Sequence, residues 1–135
     1  MNYNHDLTGF DCAIKSTNKI ILNVKILEVN LNMTFDLVGE MSPYFIVEHN
    51  KIKYRTKTIE DGGRFAKWDP NDPPFQLKDV QNSDVIVIRG YDSDLFYDDF
   101  MGSNTLKVLQ IVNFKYPDQW IDLILNNSKS GRVKV

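Results

Sequence analysis

The sequence has few of the features that mark disulfide-rich, membrane-spanning or strongly basic proteins. Cys12 is the single cysteine, so no internal disulfide can form and a reducing, intracellular location is expected. No apolar run approaches the roughly eighteen residues that a membrane span needs. The formal net charge of −2 argues against a nucleic-acid-binding protein, because such a protein would carry a basic excess.

The two ends of the chain carry no targeting or lipid-attachment signal. The start, MNYNHDLTGF, lacks the basic and apolar regions of a signal peptide and has no glycine at position 2 for myristoylation. The end, GRVKV, has no cysteine for prenylation. We therefore expect a cytoplasmic protein, which would meet a membrane, if it meets one, peripherally and from its surface.

Signatures of catalysis are also scarce. His5 and His49 have no nucleophile or metal-ligand companion at a useful spacing. The segment DGGRFAKW has two glycines and a lysine but lacks the spacing of a phosphate-binding loop. We therefore predict that the protein is not an enzyme.

What the sequence does contain is a series of short strand patterns. They recur about every ten residues and are separated by turn-forming Asn, Asp, Gly, Pro and Ser. The segments are KIILNVKILEVNL, PYFIVEHN, KIKYRTKT, PPFQL, DVIVIRGY, SNTLKVLQI, DQWIDLIL and GRVKV. Eight such strands predict an all-β fold, an eight-stranded antiparallel two-sheet β-sandwich over residues 19–135. Residues 1–18 lie outside the pattern, as a tail or an added edge segment.

Three long loops are expected, at residues 31–42, 58–73 and 92–100. Loops at one end of a sandwich converge, so residues distant in sequence can build one site. The third loop lies within GYDSDLFYDDFMG, which places four carboxylates around three large apolar residues. The chain has fourteen Asp against four Glu, and Asp suits turns and oxygen-ligand loops.

Three segments resemble the C2 domain, the β-sandwich of protein kinase C, synaptotagmins and many small membrane-docking proteins. They are FDLVGEMSPYFIV, GGRFAKWDPNDPPFQL and YDSDLFYDDFMG, in the order and at the distances typical of that family. The resemblance covers residues 20–135 and implies the circularly permuted variant called type II. Gly90 stands where the family has a branched apolar residue, and we expect it to loosen the strand before the third loop.

The resemblance implies calcium as a cofactor. The implied ligands are Asp36, Asp92, Asp94 and Asp99, with Ser93 through its carbonyl. Ser42 stands where the family has another Asp, and the loop after Asp94 is one residue shorter than usual, so Ser42 and Asp98 are alternative contributors. Because calcium affinity follows the number and charge of the oxygen ligands, the serine predicts weak binding.

Apolar residues in these loops are expected to enter a lipid interface once the ion has neutralised the carboxylates. They are Leu37 and Val38 in the first loop and Leu95, Phe96 and Tyr97 in the third. We call the last three the apolar tip. The alternative interpretation of the third loop is a solvated turn, in which Asp is common.

The strand KIKYRTK carries four cations at alternate positions. By period-two alternation they share one face, and we call Lys51, Lys53, Arg55 and Lys57 the basic set. In the family that this chain resembles, this position binds anionic or phosphoinositide headgroups. The alternative is an ordinary solvent-exposed face. Trp68 and Trp120 are expected to fill the core.

We therefore predict a module that docks on anionic phospholipid membranes through its loop tips, assisted by weak calcium binding. The alternative is a calcium-independent protein-interaction module or a small structural subunit of a larger assembly, with a protein as its partner. Ser42 and the shortened loop favour the alternative. The apolar tip favours the membrane.

Overall fold

The computed structural model describes residues 10–14 by their backbone, and residues 20–32, 40–111 and 119–135 in full. The predicted loop residues Asp36, Leu37 and Val38 lie outside the described residues. The elements are β1 (Phe10–Ile14), β2 (Ile20–Val24), β3 (Glu28–Leu31), β4 (Pro43–His49), β5 (Ile52–Arg55), β6 (Phe75–Val80), β7 (Val85–Asp92), β8 (Asp99–Lys107), α1 (Val108–Ile111), β9 (Trp120–Leu125) and β10 (Ser128–Lys134).

The strands form two antiparallel sheets. One sheet has three strands in the order β1-β2-β6, and the other has seven in the order β3-β10-β9-β8-β7-β4-β5. The predicted antiparallel two-sheet sandwich is therefore confirmed. The described part of the chain contains ten strands rather than the predicted eight, and two local features explain the difference.

The first feature is a change of sheet within KIILNVKILEVNL, which we expected to form one strand. β2 belongs to the three-stranded sheet and β3 to the seven-stranded sheet. Between them, the Leu27 amide donates to the Lys134 carbonyl (2.8 Å), and the Leu27 carbonyl accepts from the Trp68 amide (2.9 Å). These bonds satisfy the backbone amide and carbonyl of Leu27 where the chain crosses between the sheets. The alternation of apolar residues therefore continues while the chain pairs with a different strand.

The second feature lies in the segment that the strand pattern left out. β1 pairs with β2 in antiparallel register from Phe10–Val24 to Ile14–Ile20. It forms one edge of the three-stranded sheet. This part of residues 1–18 is therefore an added edge strand.

The segment SNTLKVLQI does not remain a strand to its end. β8 stops at Lys107, and α1 follows with Val108–Ile111 as its described residues. Val108 and Ile111 are buried, whereas Leu109 and Gln110 are exposed. That spacing of three is helical, so the prediction of a continuous strand was wrong here.

The core lies between the two sheets. Its fully buried large side chains include Leu22, Leu31, Met41, Phe45, Leu77, Ile86, Ile88, Met101, Ile111 and Leu123. Trp68 is buried at 5% exposure and meets Phe45 edge to face at 5.6 Å, as expected for a core tryptophan.

Trp120 was also expected in the core, and that prediction was wrong. In β9 the alternating residues Ile121 and Leu123 point inward, so Trp120 lies on the outer face at 37% exposure. The guanidinium of Arg132 lies 4.4 Å from its ring centroid and covers part of it.

Gly90 has a packing role. A Cβ at this position would lie 2.7 Å from Cε1 of Phe45, closer than van der Waals contact allows. The fully buried Phe45 ring therefore occupies the space that a side chain at position 90 would need. The glycine therefore permits close packing, while the register of β7 against β8 shifts between Gly90 and Tyr91, so the expectation that Gly90 loosens this strand stays a prediction.

Candidate functional site

The acidic loop joins β7 to β8 at one end of the sandwich. Its strands end on the cross-strand pair Asp92–Asp99, and residues 93–98 form the connection. The apolar tip stands in solvent, with Leu95 85%, Phe96 88% and Tyr97 73% exposed. The structure therefore places these three predicted side chains together and away from the core.

Two of the predicted calcium ligands shape the loop itself. Asp94 accepts a hydrogen bond from the Leu95 amide through Oδ1 (2.6 Å). Asp98 accepts one from the Asp94 amide through Oδ1 (3.2 Å) and one from the hydroxyl of Tyr44 through Oδ2. These contacts fix the backbone immediately before and after the tip.

The contact between Tyr44 and Asp98 shifts the pKa values of both side chains. The hydrogen bond from the Tyr44 hydroxyl, joined by that from the Asp94 amide, lowers the pKa of Asp98 below its usual value. Burial of Tyr44, followed by its hydrogen bond to Asp98, raises the pKa of the phenol to about 12. At neutral pH the pair is therefore a neutral donor held on a carboxylate.

Tyr44 belongs to a row of aromatic side chains that sequence reasoning missed. Tyr44, Tyr91 and Phe100 are direct neighbours across β4, β7 and β8. The centroids of Tyr44 and Tyr91 lie 5.4 Å apart in a stacked arrangement, and those of Tyr91 and Phe100 lie 5.6 Å apart. We call these three residues the aromatic row. Each of the three lies next to a loop in the sequence, and this position is the signal that could have indicated the aromatic row.

Asp92 is placed differently from the other loop acids. It is fully buried, and its Oδ1 accepts the Ser42 amide at 2.8 Å. The Ser42 carbonyl in turn accepts the Ser93 amide at 2.9 Å. The Ser42 hydroxyl accepts the Asp61 amide at 3.0 Å, so it joins the neighbouring loop to this end of β4.

The described carboxylates do not by themselves fit a calcium ion. Within the described ranges, no three Asp, Glu, His or Cys side chains are grouped closely enough to hold a metal. Calcium takes about six to eight oxygens. Asp94 and Asp98 instead accept hydrogen bonds from the loop and from Tyr44. Asp36, the remaining implied acidic ligand from the first loop, lies outside the described residues.

The structure separates the members of the basic set. Asn50 and Lys51 have φ of 49° and 66° and form the turn before β5, so Lys51 lies outside the strand. Lys53 and Arg55 lie in β5, opposite Glu48 and Ile46 of β4. These two share one face of the strand, as alternation predicts.

The two basic residues nearest the tip already have partners. The Arg55 guanidinium lies 3.8 Å from the ring centroid of Tyr44, beside the aromatic row. The Lys57 ammonium pairs with Asp72 at 3.1 Å, although its side chain remains 75% exposed. Screening by solvent makes such an exposed pair weak.

Comparisons with known proteins agree with this architecture. The family model described as the C2 domain matches residues 20–123. The chain belongs to the C2 domain family. No curated protein matches it. Among the described residues, no helix is long and apolar enough to cross a membrane.

Solved structures similar to this C2 domain include a single C2 domain of plant Extended Synaptotagmin 1, with a TM-score of 0.71 and 17% identity over 84% of this chain and 88% of that chain. A structure of two C2 domains of Extended-Synaptotagmin 2 matches with a TM-score of 0.69 and 19% identity over 84% of this chain. This chain spans 38% of that structure. A calcium-bound structure of the same two domains has a TM-score of 0.65 and 20% identity, covering 84% of this chain and 43% of that chain. Likeness at these identities shows the fold.

Proposed function

We propose that this C2 domain docks on anionic phospholipid surfaces through its apolar tip. The family commonly binds membranes or proteins. The observation that carries the proposal is the 73–88% exposure of three consecutive large side chains at one end of the sandwich. Such a patch in water is typical of an interaction surface.

The loop scaffold supports insertion without rearrangement. Asp94 and Asp98 hold the backbone on both sides of the tip, and Tyr44 anchors Asp98 to β4. Little conformational entropy would then be lost when Leu95 and Phe96 enter a lipid interface. Burial of each large apolar side chain in lipid contributes about 1.5–3 kcal/mol.

Arg55 supports the choice of anionic lipid, whereas the carboxylates of the loop itself oppose it. Arg55 lies opposite Ile46, and three residues farther along β4 Pro43 lies opposite Asp92 at the loop. At about 3.3 Å per residue, Arg55 is roughly 10 Å below the start of the loop. A cation near an anionic surface contributes about 1 kcal/mol, falling off within a Debye length of about 10 Å at 0.1 M salt. Lys51 lies farther from the loop, beyond the other end of β5.

Calcium assistance stays a prediction. Asp92 and Asp99 form a cross-strand pair, but Asp94 and Asp98 accept hydrogen bonds within the loop and from Tyr44. A weak site would need Asp36 as a further acidic ligand. The docking proposal rests on the apolar tip and does not require the ion.

Sedimentation with lipid vesicles tests the proposal. The protein should sediment with vesicles of phosphatidylcholine containing phosphatidylserine and much less with phosphatidylcholine alone. The measurement is made with calcium and with chelator, so that calcium assistance is read separately. Absence of binding to anionic vesicles in both conditions would overturn the proposal.

A further inference from the structure

The free edge of β5 offers backbone hydrogen-bonding groups to another chain. β5 is the terminal strand of the seven-stranded sheet, and within the described residues it is paired with β4 on one side. The Thr56 amide donates to the Phe45 carbonyl at 2.9 Å, and hydrogen-bonded pairs alternate along an antiparallel ladder. Lys53 and Arg55 therefore direct their N–H and C=O groups away from β4.

The stretch of β5 that is open to pairing is short, and both of its ends are defined by the chain itself. At Lys57 the carbonyl accepts a hydrogen bond from Nε1 of Trp68 at 2.8 Å, which closes the edge above Thr56. Below Ile52 the chain turns back through Asn50 and Lys51. Two outward donors and two outward acceptors remain, enough to register one added strand.

A depression lies beside this edge, on the seam between the two sheets. β6 is the edge of the three-stranded sheet, and the Tyr54 hydroxyl reaches across to the Gln76 carbonyl at 3.2 Å. The depression has a volume of about 680 Å³ and is lined by Ile52, Tyr54, Pro73, Pro74, Phe75, Gln76 and Lys78. Ile52 is 55% exposed, so an apolar surface faces the position that an added strand would take.

The positive charge along the free edge of β5 indicates which kind of partner it can bind. Lys53 and Arg55 project from one face of β5, Lys51 lies in the adjoining turn, and Lys78 is the charged member of the described depression lining. Like charges directly opposite each other on paired strands are destabilising, so a second copy of this edge is disfavoured. Acidic side chains opposite Lys53 and Arg55 would be favoured.

We propose that the free edge of β5 receives an extended segment of a partner protein in which acidic residues alternate with apolar ones. Main-chain bonds to Lys53 and Arg55 supply the pairing, as in known cases of strand addition. The acidic side chains lie on the outer face near those two cations. The alternate apolar side chains lie over the seam depression beside Ile52. The proposal does not rest on membrane docking, but this surface shares Lys53 and Arg55 with the basic set, so the peptide and an anionic lipid surface would compete for these two cations.

A blocked ten-residue peptide of alternating Glu and Val is the probe. Its matched control is the same peptide with N-methyl groups on alternate residues. The methyl groups replace the amide hydrogens on the peptide edge that would face β5. At saturating concentration, the parent peptide should slow the hydrogen exchange of the Lys53 and Arg55 amides at least tenfold. Tyr54 should change little, because its amide already faces β4. The methylated peptide should have no such effect.

Two variants of one residue separate backbone pairing from charge. Lys53→Pro removes the outward N–H without touching the bonds to β4, and edge strands accept proline at such positions. Lys53→Ala removes the same charge and keeps the N–H. The proline variant should bind the parent peptide at least tenfold more weakly than the alanine variant. Both should bind anionic vesicles equally, and melting curves confirm that both fold.

Three outcomes would overturn the proposal. Equal binding of the parent and methylated peptides, including no binding of either, would show that strand pairing is absent. Equal peptide affinity of two folded Lys53 variants would have the same meaning. Protection of the Lys53 and Arg55 amides by phosphatidylserine vesicles without peptide would assign the edge to lipid. If Lys53→Pro fails to fold, the proposal is decided by comparing the binding of the parent and methylated peptides to the unaltered protein.

Discussion

Replacing Phe96 by alanine should weaken membrane binding and leave the fold intact. The side chain is 88% exposed, so its removal takes few contacts from the folded protein. In a bilayer the same side chain would lose most of its contact with water, which contributes about 1.5–3 kcal/mol. At about 1.4 kcal/mol per factor of ten, we expect the affinity for anionic vesicles to fall roughly 10- to 150-fold.

A matched pair of leucine variants provides the control. Leu95 is 85% exposed in the apolar tip, and Leu109 is 54% exposed in α1, after the far end of β8. The eight steps of β8 separate the two ends by roughly 26 Å. Leu95→Ala should weaken vesicle binding, whereas Leu109→Ala should not. Vesicle sedimentation measures binding, and thermal melting measures stability.

Three results would refute this reasoning. A loss of about 3–5 kcal/mol in the free energy of unfolding of Phe96→Ala would show that the ring packs in the core. Equal losses of vesicle binding in the Leu95 and Leu109 variants would show that binding has no preferred end. If binding and stability are both unchanged in Phe96→Ala, the tip does not enter the membrane.

Three further predictions concern the surroundings of the tip. The pKa of Asp98 is lowered by its bonds to Tyr44 and the Asp94 amide, so its stabilisation is present above the unfolded pKa of about 3.9 and is lost as the pH falls through the folded value. Carboxyl NMR titration should show this pKa rising in Tyr44→Phe, and an unchanged value would contradict the assignment. Millimolar calcium should raise the melting temperature above that in chelator, and Asp92→Asn with Asp94→Asn should remove the rise; identical melting curves would exclude calcium binding. Rising salt, or replacement of the whole basic set by glutamine, should weaken vesicle binding with little change in melting temperature, and unaltered binding would make that strand an ordinary solvent-exposed face.

The sandwich could be predicted because strand alternation and turn residues are local signals. The crossing between β2 and β3 could not, since apolar alternation continues from Val24 through Ile26 while the hydrogen-bonding partner changes. Trp120 was placed on the wrong face for a related reason. Alternation in WIDLIL defines two faces, and the smaller Ile121 and Leu123 occupy the inner one.

The exposure of the apolar tip could be predicted from the sequence, whereas the contacts of the loop acids could not. The exposure of Leu95 and Phe96 followed from three apolar residues set among acids. The hydrogen bond between Tyr44 and Asp98 joins residues 54 positions apart and depends on the register of β4 against β7. No local pattern specifies such a contact. The roles of Asp94 and Asp98 in shaping the loop therefore became visible with the fold.

The depth of position 96 in the vesicle-bound protein tests membrane docking most directly. A nitroxide is attached to a single cysteine introduced by Phe96→Cys in a protein that also carries Cys12→Ser. Power-saturation spectroscopy then compares its accessibility to oxygen and to a water-soluble nickel chelate. The account predicts that the bound label lies below the lipid phosphates, favouring oxygen over nickel. A bound label as accessible to nickel as in the free protein would contradict insertion of the tip.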